Sequence, residues 1–505
     1  MKVKTMDLDA GGKLIAIINE KDAVELGVHA LDRIIIRKGS KKVSVTVDTA
    51  KSFIKKGTIV VYKEVNELMK LKSGETVDAE PRKTLVSKVY IKKKTDGHEL
   101  SYNELKEIVD DVIARNLNDL ELASFITALH IRGLTLNESI SMSKAMINTG
   151  KRIKFPGTVV DKHSIGGVPG DKTSILVVPI IAAAGLTIPK TSSRSITSPA
   201  GTADRMEVLA PVNLDANEIK SVVKKTRGCL VWGGSVDLAP ADDLFIRIEH
   251  PLGLDPLLLP SVMSKKKSVG CRYLVVDLPT GPEAKMKNNE EAENIARSFI
   301  ALGKKLGIKV DCAITRADQP VGYAVGPALE AREALQVITN MRQTDAEGVV
   351  RSSDLFDKAT SIAGVLLGMV GKGNKKTAEN MIKSEKAESK LREIIEAQGG
   401  DPEVKPEDIS IGPLKFSVKS VLNGIVCGIR NDALVDVCHA AGTPKDKGAG
   451  ILLNKKINDT VKKGDILFTI YSEKRSKLNS AIKVSKTYDI YSMLSGKRKM
   501  LVEKI

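Results

Sequence analysis

The sequence predicts an α/β fold with a largely parallel sheet, a β-rich domain before it and an α+β domain after it. Three observations point there. Between residues 155 and 335, Val- and Ile-rich runs alternate with amphipathic stretches at helical spacing, the pattern of strands joined by crossover helices. Several of the β-like runs lead straight into Gly-rich turns, and open α/β sheets place their ligands at the carboxyl ends of the strands. On either side the apolar period shortens to two.

Residues 1–84 hold "LIAIINE", "DRIIIRKG", "KVSVTVDTA" and "GTIVVYKE", β-like runs bounded by Gly, Lys and Asp, with one helix expected near Glu20–Gly27. From residue 85 to about 154 the spacing turns helical, giving three helices with cap signals at Ser101 before Glu104 and at Asn137 before Glu138. Parts of 210–270 are expected to continue this helical domain. Residues 155–335 form the α/β domain: "TVVDKHS", the apolar run "LVVPIIAAAGL", "IPKTSS", "CLVWGG", "YLVVDLPTG", the helix "EEAENIARSFIALGKKLG" and "IKVDCAITRADQPVG". Residues 342–399 read as polar helices and "GGDPEVKPEDI" as a linker. "KFSVKSVLNGIVCGI" and "KKGDILFTIYSE" then place an α+β domain within 340–505.

Composition narrows the function. A chain of 505 residues exceeds one compact domain. No run approaches the roughly 18 consecutive apolar residues of a membrane span, and "MKVKTMDLDAGGK" lacks the apolar core of a signal peptide, so a cytoplasmic protein without a membrane partner is expected. Five scattered cysteines, with no CxxC, read as buried reduced thiols, and the six histidines do not cluster with them; no metal and no cofactor is expected. The net charge of +17 permits nucleic-acid binding. With only 3% aromatic residues there is no basic stripe that could stack bases, so the charge reads as a solvated lysine-rich surface and nucleic acid is not expected as a partner.

Two stretches carry chemistry. In "DKHSIGGVPGDKTS", the backbone around Gly166, Gly167 and Gly170 can form an anion nest before a helix N-terminus, with Lys162, Ser164 and Ser174 as donors. The spacing GxxxxGK[ST] is absent, so this is no Walker loop. A tight strand–helix connection is the alternative. In "KTSSRSITSPAGTADRMEVL", the hydroxyls of Ser192, Ser193, Ser195, Thr197, Ser198 and Thr202 surround Arg194, a side chain suited to clamping an anion, although such a loop is often only a loop.

Together these stretches resemble the nucleoside phosphorylase family of thymidine and pyrimidine nucleoside phosphorylases, with "SVMSKKKSVG" and "GPALEAREAL" matching two further blocks in the family's order. The resemblance covers most of residues 86–505. It implies that inorganic phosphate lies against Lys162, Ser164, Ser174, Ser192 and Thr202, and that sugar and base lie toward Arg247, Ser261 and Lys265. The reaction implied is phosphorolysis of an N-glycosidic bond by a homodimer or larger homo-oligomer acting on small molecules.

The departures point to a branch. The pyrimidine enzymes carry a lysine where this chain has Pro279 in "VVDLPTGPEAKMK"; lysines appear instead at Lys285 and Lys287. A family histidine gives way to the hydroxyls of "RSITSPAGT". Both changes, with the added N-terminal domain, are similar to an archaeal branch that phosphorolyses nucleoside 5′-monophosphates, AMP above all, to a free base and ribose 1,5-bisphosphate. That resemblance implies substrate contacts at Gly167, at Ser193, Arg194, Ser195, Ile196, Thr197 and Ser198, and at Thr202, Ser261, Lys265 and Lys285. It implies that Asp255, in "HPLGLDPLLLPS", protonates the departing purine. Its Leu and Pro neighbours are expected to hold that carboxyl in its acid form; a helix N-cap before Pro256 is the alternative. His163 and Trp232 are expected to be structural. Rival functions are a pyrimidine nucleoside phosphorylase, an anthranilate-type phosphoribosyltransferase, which would need an acidic cluster for Mg²⁺ that the Gly-rich loops lack, and a nucleotide- or RNA-binding regulator.

Overall fold

The computed structural model describes residues 1–82, 85–195, 198–339 and 352–494, and it divides into two units, 1–132 and 133–505. The first begins with β1 (Lys2–Thr5), β2 (Ile15–Asn19), α1 (Glu20–Leu26), β3 (Arg33–Lys38), β4 (Lys41–Ala50), β5 (Thr58–Val61), α2 (Lys63–Met69) and β6 (Asp78–Pro81). The strands form one mixed sheet in the order β1-β5-β2-β4-β3-β6. Alternate residues such as Ile34, Ile36, Val45 and Val47 are fully buried, as a half-buried strand requires. The second helix, α2, is missing from the sequence reading. Its seven residues bury little beyond Val65 and Met69, one turn apart, too short a repeat to stand out from the strand before it.

Three helices complete this unit: α3 (Val86–Thr95), α4 (Tyr102–Ile113) and α5 (Asp119–Arg132). Ser101 and Glu104 form the expected capping box on α4. The Arg33 guanidinium donates to the carbonyls of Arg115 at 2.5 Å and Asn116 at 2.7 Å, tying the sheet to the α4–α5 connection.

The second unit opens with α6 (Leu136–Thr149). Its cap is Thr135, boxed with Glu138, not Asn137, which lies inside the first turn. There follow β7 (Val160–Ser164), α7 (Thr173–Ala183), β8 (Ile188–Ser192), α8 (Thr202–Met206), α9 (Ala216–Thr226), β9 (Gly228–Trp232), α10 (Pro240–Leu252), α11 (Leu258–Ser268), β10 (Tyr273–Thr280), α12 (Asn289–Leu306), β11 (Lys309–Arg316), β12 (Ala324–Val325) and α13 (Pro327–Thr339). The strands β11-β10-β7 are parallel, as are β8 and β9, and a bridge from Val159 to Thr187 links the two groups. Helices cover both faces. Val275 joins the core of α7, while Leu274 and Val276 join that of α11 and α12, the period-two alternation of a strand between two layers.

Three more helices, α14 (Ser353–Met369), α15 (Lys375–Lys383) and α16 (Lys386–Ala397), complete the first of these layers. The expectation of polar helices fails for α14, where Leu355, Ile362, Leu366 and Leu367 are fully buried. The last stretch contains β13 (Leu414–Lys419), β14 (Gly424–Ile429), α17 (Asn431–Ala441), β15 (Gly450–Leu453), β16 (Thr460–Val461), β17 (Ile466–Ser472), α18 (Arg475–Ser485) and β18 (Tyr491–Leu494), in antiparallel sheets β12-β15-β17-β13 and β16-β14-β18. All five cysteines are free thiols; Cys427 is exposed and Cys312 half-buried, so not all are interior. Among the described residues no helix is long and apolar enough to cross a membrane, and no cluster of His, Cys, Asp and Glu could hold a metal.

Candidate active site

Three loops leave the carboxyl ends of parallel strands: residues 165–172 after β7, 193–201 after β8 and 281–288 after β10. The first carries the three glycines of the expected nest. Gly166, Gly167 and Gly170 have φ of 82°, 90° and 73°, a region that side-chain-bearing residues rarely adopt. At Gly167 a Cβ would also come within 3.3 Å of the Lys285 backbone nitrogen, so this glycine lets the third loop lie against the first.

Beneath the nest lies a buried lattice of charge. Lys266 bonds Asp161 at 2.6 Å, and Lys190 approaches the same carboxylate at 3.9 Å. Lys358, from α14, reaches Asp277 at 3.0 Å and Asp171 at 3.3 Å. Lys358 is raised above its ordinary value against the pull of burial, chiefly by Asp171 and then by Asp277. Asp171 is held well below the carboxylate range by Lys358 and Lys162, which outweigh burial. Burial first, and Lys266 second, push Lys190 well below its ordinary value; burial and the same lysines do likewise to His163. The cluster is thus short of negative charge. The ammonium of Lys162, a residue 2% exposed, approaches Asp277 only at 3.8 Å and makes no hydrogen bond among the described residues. The hydroxyls of Ser174 and Thr202 also make none there. A buried ammonium without an acceptor is costly unless a ligand supplies one. Ser164 and Ser192 already donate, to Asp171 at 3.3 Å and to the Val231 carbonyl at 3.3 Å.

The hydroxyl-rich loop is tied to its own framework. Asp204 accepts from the backbone nitrogens of Ser195 at 2.6 Å and Gly201 at 2.9 Å. Ser195 donates to the Ser198 carbonyl, and Ser198 to the Ala200 carbonyl at 3.0 Å. Arg194 does not stand free to clamp an anion: it forks onto Glu207 at 2.5 and 2.7 Å and lies 5.3 Å from the Trp232 ring centroid. Arg194, with Lys447 from the C-terminal domain 2.7 Å from Glu207, holds that carboxylate down to about 2. Nothing in the sequence marks this capture, because Glu207 and Lys447 meet around Arg194 only in the fold. Trp232 is partly buried and packed against the α7 core. Ile196 and Thr197 lie outside the described residues.

On the other side, α10 and α11 bring Ser261, Lys265 and Asp255 together. Lys265 bonds Asp242 at 2.5 Å and Ser261 donates to the same carboxylate at 2.9 Å; Arg247 is exposed on α10. Asp255 does not sit in an apolar pocket. Its side chain is 42% exposed and its carboxylate meets Lys285 at 2.5 Å. Nor does it cap α11, whose N-cap position is Leu257. Lys287 instead donates to the Pro282 carbonyl at 2.9 Å.

The sequence reading missed Glu249. It lies on α10, 4% exposed, and accepts from the Leu257 nitrogen at 3.3 Å, supporting the turn that carries Asp255. Burial first, then Asp255 and Asp242, raise its carboxyl to about 8. An acid raised on folding binds a proton that the unfolded chain releases above about pH 4.5, so stability falls between about pH 4.5 and 8 and levels off above. Glu249→Gln keeps an acceptor and removes the titration. It is expected to gain roughly 2–4 kcal/mol over the parent between pH 5 and pH 8, read from unfolding midpoints at the two pH values. A gap that does not widen would mean Glu249 is ionised in the fold.

Residues 156–389 match the glycosyl transferase family a/b domain, 88–150 its helical bundle domain and 426–491 the pyrimidine nucleoside phosphorylase C-terminal domain. The chain is 44% identical to an AMP phosphorylase of Thermofilum pendens, over 100% of this chain and 98% of the relative. It is 46% identical to one of Thermococcus kodakarensis, over 95% and 96%. An anthranilate phosphoribosyltransferase structure from Thermus thermophilus aligns with a TM-score of 0.49 at 17% identity, over 61% of this chain and 99% of that one.

Proposed function

The chain belongs to the AMP phosphorylase family, and from that premise we infer that it is a pentosyltransferase cleaving AMP with inorganic phosphate to give adenine and ribose 1,5-bisphosphate. The geometric observation that carries this reading is the buried Lys162 ammonium without a hydrogen-bond acceptor, on the parallel strand that leads into the glycine loop. In this reading phosphate binds Lys162, Ser174 and Thr202 with the nest amides, and one of its oxygens attacks C1′. As the C1′–N9 bond breaks, its electron pair leaves with adenine, and a proton passes from the Asp255 carboxyl to N7 of the base. Lys285 holds the 5′-phosphate, while Ser261 and Lys265 lie toward the base. Ser164 supports the nest through its bond to Asp171, Ser192 is held by the Val231 carbonyl on β9, and Ser193, Ser195 and Ser198 turn toward the nucleotide when it binds. The reading includes a cytoplasmic homodimer or larger homo-oligomer, on the support of the family resemblance.

The test is release of free base from AMP, CMP, adenosine and thymidine, each with phosphate. AMP is expected to be cleaved at least tenfold more efficiently than adenosine or thymidine. Release from the nucleosides but not from AMP would return the chain to the pyrimidine nucleoside reading.

A further inference from the structure

The lysine that reads the 5′-phosphate is bonded here to the acid that must protonate the base. Lys285 Nζ lies 2.5 Å from Asp255 Oδ2, with both side chains about two-fifths exposed. Bonded to an ammonium, that carboxyl is a carboxylate with no proton to deliver. Exposed ion pairs of this kind are weak, and a phosphate dianion is a stronger partner for an ammonium than a carboxylate is. The lysine loop is close enough to serve both roles, since it packs against the nest at Gly167.

We propose that the 5′-phosphate of the substrate acts on the chemistry as well as on binding: by drawing Lys285 away from Asp255, it frees that carboxyl to take up the proton that the leaving base needs. The inference rests on the reading of Asp255 as the acid and Lys285 as the 5′-phosphate contact. The proton balance is simple. With the ammonium withdrawn, Asp255 loses the one cation bonded to it among the described residues, and the phosphate that has taken Lys285 adds negative charge nearby. Each favours the protonated carboxyl. Asp255 takes a proton from solvent, delivers it to N7 as the C1′–N9 bond breaks, and returns to Lys285 when the product leaves. A nucleoside lacking the 5′-phosphate leaves the pair closed, so it can bind without being turned over efficiently.

The experiment compares kcat and KM for AMP and adenosine at saturating inorganic phosphate in the parent enzyme, Lys285→Met, Asp255→Asn and the double variant. Lys285→Met is expected to lose at least 100-fold in kcat/KM for AMP yet gain at least tenfold in kcat for adenosine, the gain vanishing in the double variant. Lys285→Gln serves as a second replacement at the same exposed position. An adenosine kcat that is unchanged, lowered or undetectable in both Lys285 variants, alongside weakened AMP binding, overturns the gating and leaves the site reading standing. An AMP KM equal to that of the parent in both variants overturns the site reading itself.

Discussion

Asp255→Asn is expected to lower kcat for AMP by roughly 10²–10⁴-fold while leaving KM within a few-fold. Asparagine keeps the size of the side chain and can still accept from Lys285, so the loop geometry around the 2.5 Å contact survives. What it lacks is a transferable proton. Adenine leaving without protonation at N7 carries the full charge of the broken bond, and the loss belongs to the transition state rather than to binding. A ribose 5-phosphate bearing an electron-poor phenol at C1′ needs no proton on departure. That substrate should be cleaved by Asp255→Asn at nearly the parent rate. Equal losses on both substrates would show that Asp255 supports structure, not proton transfer.

Lys358→Met is expected to cost roughly 3–5 kcal/mol of stability, because it leaves the buried carboxylates of Asp171 and Asp277 without their nearest cation. Methionine fills most of the volume of the lysine stem, so little of the loss comes from a cavity. The pH dependence has a definite sign. Asp171, depressed in the fold, contributes stability that is present above about pH 4 and lost as pH falls through its lower folded value. Lys358, raised in the fold, contributes stability that is present below about pH 10.5 and lost as pH rises through its higher folded value. The deficit of the variant should therefore be full between pH 5 and pH 9 and shrink in strong acid. Thermal midpoints measured across that range check it, and a KM for inorganic phosphate raised at least tenfold would place the cluster under the anion site. A variant as stable as the parent at pH 7 would mean the two aspartates are neutral in the fold.

What could be read from the sequence was local. Strand β7, the glycine nest and helix α7 follow one another within 24 residues, and the Ser101–Glu104 cap needs only four. The α/β class followed from the same short-range alternation of periods. What could not be read depends on distant residues arriving at one place. Lys358 is 187 residues from Asp171, and nothing in the helix that carries it marks it as a partner for the nest. Asp255 and Lys285 were both singled out, yet their bond across 30 residues was not foreseen, and the apolar letters around Asp255 suggested a dry pocket. Of those leucines and prolines only Leu257 and Pro260 are buried, Pro251 and Leu252 are exposed, and the carboxyl faces outward. Arg194 illustrates the same limit, since an arginine among hydroxyls looks like an anion clamp until Glu207 occupies it.

The enclosure of the lysine–aspartate cluster separates two effects of ionic strength. Dissolved ions screen charge over about 8 Å at physiological concentration, but only where water reaches. Lys162, Lys190 and Lys266 are almost closed to it, so added salt leaves the hold on a bound anion largely untouched. The exposed lysines behind the net charge of +17 are open to that screening, and they govern how fast an anionic substrate is drawn in. Arrival and retention therefore answer to different sets of charges within one chain.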